Sequence, residues 1–488
     1  MAGGTWDILD LPKIPGLYMN FRAAALAAIQ PGARGVVMVP VKAHWGPIET
    51  FTTITRESQA ADLFTTNDTE GATAYKTLRF ALMGGAKEVI AYRLDNGNAA
   101  AASLILSDTA TPPAPAIQIE GYYKGERGND FKITVAANPV DGTKKDIKLY
   151  EGTTLKKVFT FPSGTIAAAV AAINNDGQRL IKASLLSEGN GILADVTSQP
   201  LEGGDSGIEE IANQKYLDAF EAMEAQKFNV VTLDGVTDAG LQASFKAWVQ
   251  RLRSEGTHII GVIGGSATAD KAADAVDQAV ARSSASNYEG IVNVGCGGYL
   301  GGVEYSSAEV AAWVAGLIAG QKLKESTTYA SAPFSDVNRR WTKTEMKTAV
   351  ENGVFLLIHD GLIVKVLKGI NSLVTLRQDQ NNAFKKIRGI RVMDAIAEDL
   401  QRTAEANYIG KVNNTEEGRL ALIGACMQYM ATLAKGEVIE NTGYFVQLDP
   451  DYYGEGATMT PEADQVFLNY GARLTDVMEN IFGNFYVL

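Results

Sequence analysis

Cys296 is the residue most suggestive of chemistry. It lies in Gly295-Cys296-Gly297-Gly298-Tyr299-Leu300-Gly301-Gly302, the densest glycine cluster of the chain, directly after an apolar strand pattern. A thiol there becomes a nucleophile only with a base beside it. His44, His258 and His359 are the only histidines, and none has a recognisable partner pattern, so a βα loop with a buried thiol is the better reading. Ile263-Gly264-Gly265-Ser266 stands between a strand and a helix, where a phosphate could sit. It lacks the third glycine of a dinucleotide fingerprint and the lysine of a P-loop, which leaves a tight turn. His359-Asp360-Gly361 separates two apolar runs, and Asp-Gly there is a hairpin signal rather than half of a triad. No Gly-x-Ser-x-Gly elbow occurs. Glu209-Glu210 and Glu416-Glu417 fall in first helical turns, where the helix dipole accounts for them. No metal-ligand spacing is present, and no cofactor motif. The residues argue against an enzyme.

Two other features survive this comparison. Asn381-Asn382-Ala383-Phe384-Lys385-Lys386-Ile387-Arg388-Gly389-Ile390-Arg391 concentrates cations in an otherwise acidic chain. It reads either as a solvated basic face or as a surface that docks on an acidic protein. The second feature is the pair of ends. Ile14-Pro15-Gly16-Leu17-Tyr18-Met19-Asn20-Phe21 reads as an extended arm fixed by a Pro-Gly turn, and Phe482-Gly483-Asn484-Phe485-Tyr486-Val487-Leu488 runs apolar and β-favouring. Termini are normally polar and frayed. Aromatic and branched residues there need a sheet to join, either in the same chain or, by strand addition, in a neighbour.

The elements that must carry these features change character along the chain. Residues 34–41 form a buried-type strand, 69–84 have helical spacing and 88–93 form another strand. From 96 to 203 short strands alternate with turns such as Asp141-Gly142, interrupted by one helix at 166–174, which predicts an inserted β-sandwich or barrel with glycine-rich hinges at both edges. After Gly204, apolar strands at 228–233, 257–263, 290–294 and 354–358 alternate with helices over 207–226, 239–254, 267–281 and 306–322. That is the pattern of a doubly wound parallel sheet covered on both faces. Long amphipathic helices are expected at 391–408 and 416–434, then strands at 443–448, 465–470 and the terminus.

At 488 residues the chain exceeds one core, and roughly three or four domains are expected. A net charge of −12 argues against nucleic acid as principal partner. Two distant cysteines make no disulfide framework and suggest assembly in a reducing cytoplasm. No secretory signal or bilayer-spanning stretch is visible.

Taken together, these residues resemble a family. Pro15-Gly16-Leu17-Tyr18, Arg34-Gly35-Val36-Val37-Met38-Val39-Pro40-Val41 and Trp45-Gly46-Pro47 are similar to the opening of contractile tail sheath proteins of myovirus-type phages and phage-tail-like particles. So are Lys385-Lys386-Ile387-Arg388, Arg391-Val392-Met393-Asp394-Ala395-Ile396, Tyr408-Ile409-Gly410-Lys411-Val412-Asn413-Asn414 and Gly418-Arg419-Leu420. The likeness spans nearly the whole chain. The end departs from it, since Asp476-Val477-Met478-Glu479-Asn480-Ile481 leads into aromatics where the family alternates Thr and Val.

The resemblance implies an α/β multidomain protein: an N-terminal arm and linker (1–33), an α+β segment of the core (34–95), the inserted β-sandwich (96–204), a subtilisin-like doubly wound α/β domain (205–374) and an α+β C-terminal assembly domain with a terminal strand (375–488). It implies a structural subunit that stacks in six-fold rings into a helical sleeve around an inner tail tube. The sleeve meets baseplate and tail terminator proteins and contracts to drive the tube through a cell envelope. It would assemble in the host cytoplasm and reside in the mature tail. Neither nucleic acid nor membrane insertion is implied. Gly16, Leu17, Tyr18, Met19, Asn20 and Phe21, with Asn484, Phe485, Tyr486, Val487 and Leu488, would be the exchanged strands. Pro31–Gly35 and Phe482-Gly483 would be their hinges. Lys385, Lys386, Arg388 and Arg391 would touch the tube. The competing readings are an α/β hydrolase-like enzyme built on the Cys296 loop and another self-assembling shell protein.

Overall fold

The computed structural model describes residues 34–487 together with Gly3, Gly4, Leu17, Tyr18, Ile29 and Gly32. β1 (Gly3–Gly4) and β2 (Leu17–Tyr18) pair in parallel, Gly3 opposite Leu17. Of the expected arm, Gly16, Met19, Asn20 and Phe21 lie outside the described residues, as does Leu488. The chain divides into two compact units: Arg34–Lys322 with Ser326–Ile390, and Met1–Ala33 with Leu323–Glu325 and Arg391–Leu488.

The first unit opens with β3 (Val36–Val41), β4 (Phe51–Ile54), α1 (Glu57–Phe64), α2 (Ala74–Gly84) and β5 (Glu88–Arg93). The chain then leaves through β6 (Ser103–Ser107), β7 (Pro115–Gly121), β8 (Phe131–Ala137), β9 (Lys144–Glu151), β10 (Thr154–Pro162), α3 (Ile166–Asn174), β11 (Ile181–Leu185) and β12 (Val196–Pro200). It returns with α4 (Asn213–Met223), β13 (Val230–Thr232), α5 (Ala239–Ser254), β14 (Ile260–Ile263), α6 (Ala267–Lys271), α7 (Ala275–Ser286) and β15 (Ile291–Val294). The small strands β16 (Gly298–Leu300) and β17 (Val303–Tyr305) lead to α8 (Ser307–Gly320), β18 (Asp336–Val337), α9 (Lys343–Glu351), β19 (Val354–Phe355) and a hairpin of β20 (Leu357–His359) and β21 (Val364–Val366).

A seven-stranded sheet in the order β19-β15-β14-β13-β3-β5-β4 forms the centre, and only β4 runs antiparallel to its neighbour. Its inner strands β3, β13, β14 and β15 are mostly apolar and buried almost throughout because both faces are covered. Tyr216 and Phe220 of α4 and Phe245 and Trp248 of α5 pack on the face carrying Met38, Ile90, Val231 and Ile291. Val37, Val39 and Val41 alternate with Met38 and are equally buried, with α2 and α8 packed on this side of the sheet. α8 is buried along Ser307–Ala319, and its N-terminus carries a capping box between Ser306 and Glu309.

Glycine makes the α2–α8 crossing unusually close. A Cβ on Gly316 would stand 1.9 Å from the Ala81 carbonyl oxygen, and one on Gly84 would stand 2.3 Å from that of Trp313. We therefore expect Gly316→Val to force the helices apart and cost about 3 kcal/mol or more, the upper end of core overpacking. Denaturant unfolding of the two proteins would measure it, and an unchanged midpoint would refute the close-packing account.

The excursion between β5 and α4 is a β-sandwich, one sheet ordered β10-β9-β8-β12 and the other β11-β7-β6. Its core alternates along β8, where Phe131, Ile133 and Val135 point inward beside Ile147 and Leu149 of β9 and share a core with Ile117 and Ile119 of the other sheet, with Ile166, Ala169 and Ile173 of α3 closing one side. Three expected helices depart from their patterns, the first being 69–84, where α2 starts only at Ala74. Residues 207–212 are not helical, since Gly207 and Glu210 take positive φ, so α4 starts at Asn213. The 267–281 stretch breaks between α6 and α7, where Ala272 is extended.

In the second unit α10 (Ile387–Asn407), whose first turn belongs to the first unit, and α11 (Glu416–Lys435) pack Val392 against Cys426, Tyr429, Met430 and Leu433. β22 (Phe445–Leu448) and β23 (Leu468–Gly471) form a two-stranded antiparallel sheet. The buried Asp399 carboxylate organises this unit: it accepts from Tyr429 Oη at 2.7 Å, from the Gly32 N–H at 2.8 Å and from Arg402 Nη2 at 3.0 Å.

Candidate functional site

The geometry removes the enzyme reading's nucleophile. Cys296 is fully buried, its Sγ donating to the Leu357 carbonyl at 3.2 Å and accepting from the Leu357 N–H at 3.3 Å. Burial pushes the thiol up to about 12, so no thiolate forms near neutrality. Gly264 and Gly265 serve packing. The Gly265 N–H donates to Ser307 Oγ at 2.7 Å, and a Cβ on Gly264 would collide with the Ser307 backbone. His359-Asp360-Gly361 is a turn, as its sequence suggests. Asp360 accepts from Ile363 and Leu362 N–H groups at 3.0 and 2.9 Å and pairs with Lys365 at 2.8 Å, which holds its carboxyl far below the usual range. Among the described residues no group of three or more His, Cys, Asp and Glu could hold a metal, and no helix is long and apolar enough to cross a membrane.

What the structure offers instead is unfinished surface in the second unit. After β23 no strand forms up to residue 487. Met478, Ile481, Phe482, Phe485, Tyr486 and Val487 are each at least 77% exposed. A run of large apolar side chains in water is unusual and marks a segment made for burial elsewhere. In the same unit the β22–β23 sheet has two strands of four residues each, with an outer edge on either side. A pair that short is marginal on its own. Beside β23 lies a cavity of about 590 Å³ lined by Tyr408, Ile409, Val412, Leu422, Val466 and Phe467, among others.

The basic stretch is only partly surface. Asn381 Oδ1 caps the turn at Ala383, and the Lys385 carbonyl accepts from the Asn371 N–H, so the segment is tied into the first unit. Lys385 and Lys386 are half-buried, whereas Arg388 and Arg391 are buried, at 5% and 9% exposure. The solvated face of four cations expected from the sequence therefore reduces to two.

The joint of the β-sandwich corrects another expectation. Its connecting segments are not loose glycine hinges, because they pair with each other at Ala100–Asp205 and Ser103–Glu202. Sequence reasoning also passed over Arg93, the charged end of an apolar strand, and Asp399, one acid among many on an amphipathic helix. The only available signal was a charge interrupting an apolar periodicity, which is too common to act on.

Comparison with known proteins agrees with this picture. Family models for the phage tail sheath protein beta-sandwich domain, its central domain and the C-terminal domain match residues 95–206, 209–372 and 379–488. The phage-like element PBSX protein XkdK of Bacillus subtilis (strain 168) is 28% identical over 516 aligned positions, covering 99% of both chains. The crystal structure of the sheath tail protein from Desulfitobacterium hafniense superposes with a TM-score of 0.72 at 27% identity, covering 95% of this chain and 98% of that one. The helical sheath of the anti-feeding prophage in its contracted state shares the fold, with a TM-score of 0.53 at 12% identity and coverage of 98% and 99%. With sheath models matched in succession from residue 95 to residue 488, the chain belongs to the phage tail sheath family.

Proposed function

We propose that this chain polymerises around an inner tail tube as a contractile sleeve of stacked six-fold rings, held together by exchanged terminal strands, and contracts to drive the tube through a target envelope. The observation that carries the reading is the exposed apolar segment 478–487 in a unit whose own sheet stops at two strands. Strand addition to an open edge gives a neighbour main-chain hydrogen bonds and buries those side chains. Exchanged strands also let subunits turn without separating, with the residues that join arm to body absorbing the change in φ and ψ. Gly16–Phe21 and Asn484–Leu488 remain the proposed strands, and the edges of β22 and β23 the proposed acceptors. The likeness of the central domain to subtilisin is proposed as architectural only, and the sleeve's other partners as baseplate and terminator proteins. Assembly is placed in the host cytoplasm and the mature subunit in the tail. Electron microscopy of the purified full-length chain, alone and with a tube protein, tests this. Striated tubes support it, and dispersed particles under both conditions refute it.

For tube contact we retain Lys385 and Lys386, because both side chains reach solvent in part whereas Arg388 and Arg391 are buried. We expect Lys385→Glu with Lys386→Glu to weaken co-assembly with the tube roughly thirtyfold or less, as partly exposed ion pairs contribute about 0–1 kcal/mol each. Co-sedimentation at two salt concentrations would check this, and unchanged co-assembly would refute it.

A further inference from the structure

The β-sandwich is inserted between two ends that a loose joint would leave mobile, yet Arg93 joins it to its parent. This guanidinium is fully buried at the end of β5. Nη1 donates to the carbonyls of Gly46 at 2.7 Å and Lys124 at 2.8 Å, and Nη2 to that of Ser206 at 2.9 Å. Gly46 belongs to the loop after β3, Lys124 to the sandwich and Ser206 to the returning segment, so one side chain ties together three separate stretches of backbone. A planar fork of fixed donors suits that task, and a lysine's single ammonium does not. Burial pulls the guanidinium down to about 10, which leaves it charged at any physiological pH.

Four independent contacts close the same joint. Trp45, buried in the sandwich core, meets Phe131 and Tyr123 edge-on at 5.5 and 5.6 Å. His44 Nδ1 lies 2.8 Å from Ser206 Oγ, which also accepts from the Glu126 N–H at 3.1 Å. The two connecting segments exchange Ala100 N–H to Asp205 O and Asp205 N–H to Ala100 O bonds at 2.9 and 3.0 Å. A Cβ on Gly125 would stand 2.0 Å from the His44 carbonyl oxygen.

We propose that Arg93 is a lock that fixes the inserted β-sandwich to the α/β domain as one rigid body, so that the two do not hinge against each other although a separate family model spans the insertion. The lock stands on the isolated chain alone. Its consequence for a sheath, that any turning of the α/β domain is carried undiminished to the outer faces of β8, β9 and β10, rests on the assembly reading above.

Hydrogen exchange by mass spectrometry on the full-length chain tests the lock without assembly. In Arg93→Met, peptides covering Gly125–Gly128 and Glu202–Gly207 should exchange at least about tenfold faster, while peptides from β13, β14 and β15 keep their rates. Brief proteolysis should then release a fragment cut near residues 95–102 and 202–208. Arg93→Lys should fall between that variant and the unsubstituted chain. Unsubstituted rates and protease resistance in Arg93→Met overturn the proposal. If that variant does not fold, the unsubstituted chain decides. Amides of Ala100, Ser103, Gly125 and Asp205 exchanging as slowly as those of β13–β15 support a single body, and amides exchanging at loop rates overturn it.

Discussion

Removing residues 482–488 is expected to abolish polymerisation while leaving the folded subunit intact. Phe482, Phe485, Tyr486 and Val487 are 77–93% exposed in the isolated chain, and none belongs to a strand or helix, so their removal costs the subunit almost no buried area. In an assembly each of the four would contribute on the order of 1–2 kcal/mol if partly buried in a neighbour, before the cost of ordering the arm. A total of about 4 kcal/mol per contact corresponds to a roughly thousandfold loss in affinity. Every subunit of a sleeve repeats that loss, so tubes disappear rather than shorten. Electron microscopy and light scattering read the assembly, and circular dichroism with thermal unfolding confirms the fold. Tubes from the truncated chain at full-length concentration would sink the strand-exchange reading of this arm and leave family membership untouched.

The second large effect concerns stability. Asp399→Ala removes the carboxylate that accepts from Tyr429 Oη at 2.7 Å and from the Gly32 N–H at 2.8 Å, and with it the ion pair to Arg402; Tyr429 Oη also lies 3.5 Å from the Ala395 carbonyl. Two lost hydrogen bonds to a buried carboxylate, at about 1–2 kcal/mol each, predict a loss of about 2–4 kcal/mol, concentrated in the second unit. Asp399→Asn keeps one carbonyl acceptor and should lose about half as much. Faster hydrogen exchange in α11, with β13–β15 unchanged, would show the effect to be local. Because Gly32 stands at the root of the N-terminal arm, the alanine variant should also assemble poorly at temperatures where its subunit is still folded. Equal stability of Asp399→Ala and the unsubstituted chain would refute the network account.

Much of this architecture is legible in the sequence because its period changes with its layers. The apolar runs Val36–Val41, Val230–Val231, Ile260–Ile263 and Ile291–Val294 lack alternation since they are buried on both faces, and all entered the parallel sheet. Strands β7 and β8 of the sandwich alternate since each shows one face to its core, as in Phe131, Ile133 and Val135. Helix and strand boundaries were less legible where a local turn overrides an amphipathic pattern, as at Gly207 and Ala272.

The spacing of apolar residues carries the order of the layers, the turn at Asp360-Gly361 and the oddity of an aromatic end. Which charges lie at the surface and which are buried in the frame emerges with the packing of distant segments. Lys385, Lys386, Arg388 and Arg391 look alike in a string of letters, yet two of them are half-exposed and two are buried. Arg93 and Asp399 have no spacing that marks them, because their partners lie in segments remote in sequence: Gly46, Lys124 and Ser206 for one, Gly32 and Tyr429 for the other. Periodicity reports the face a residue presents to its own helix or strand. A buried charge is satisfied by whatever backbone the fold brings to it, and that meeting is a property of the folded chain rather than of any window along it.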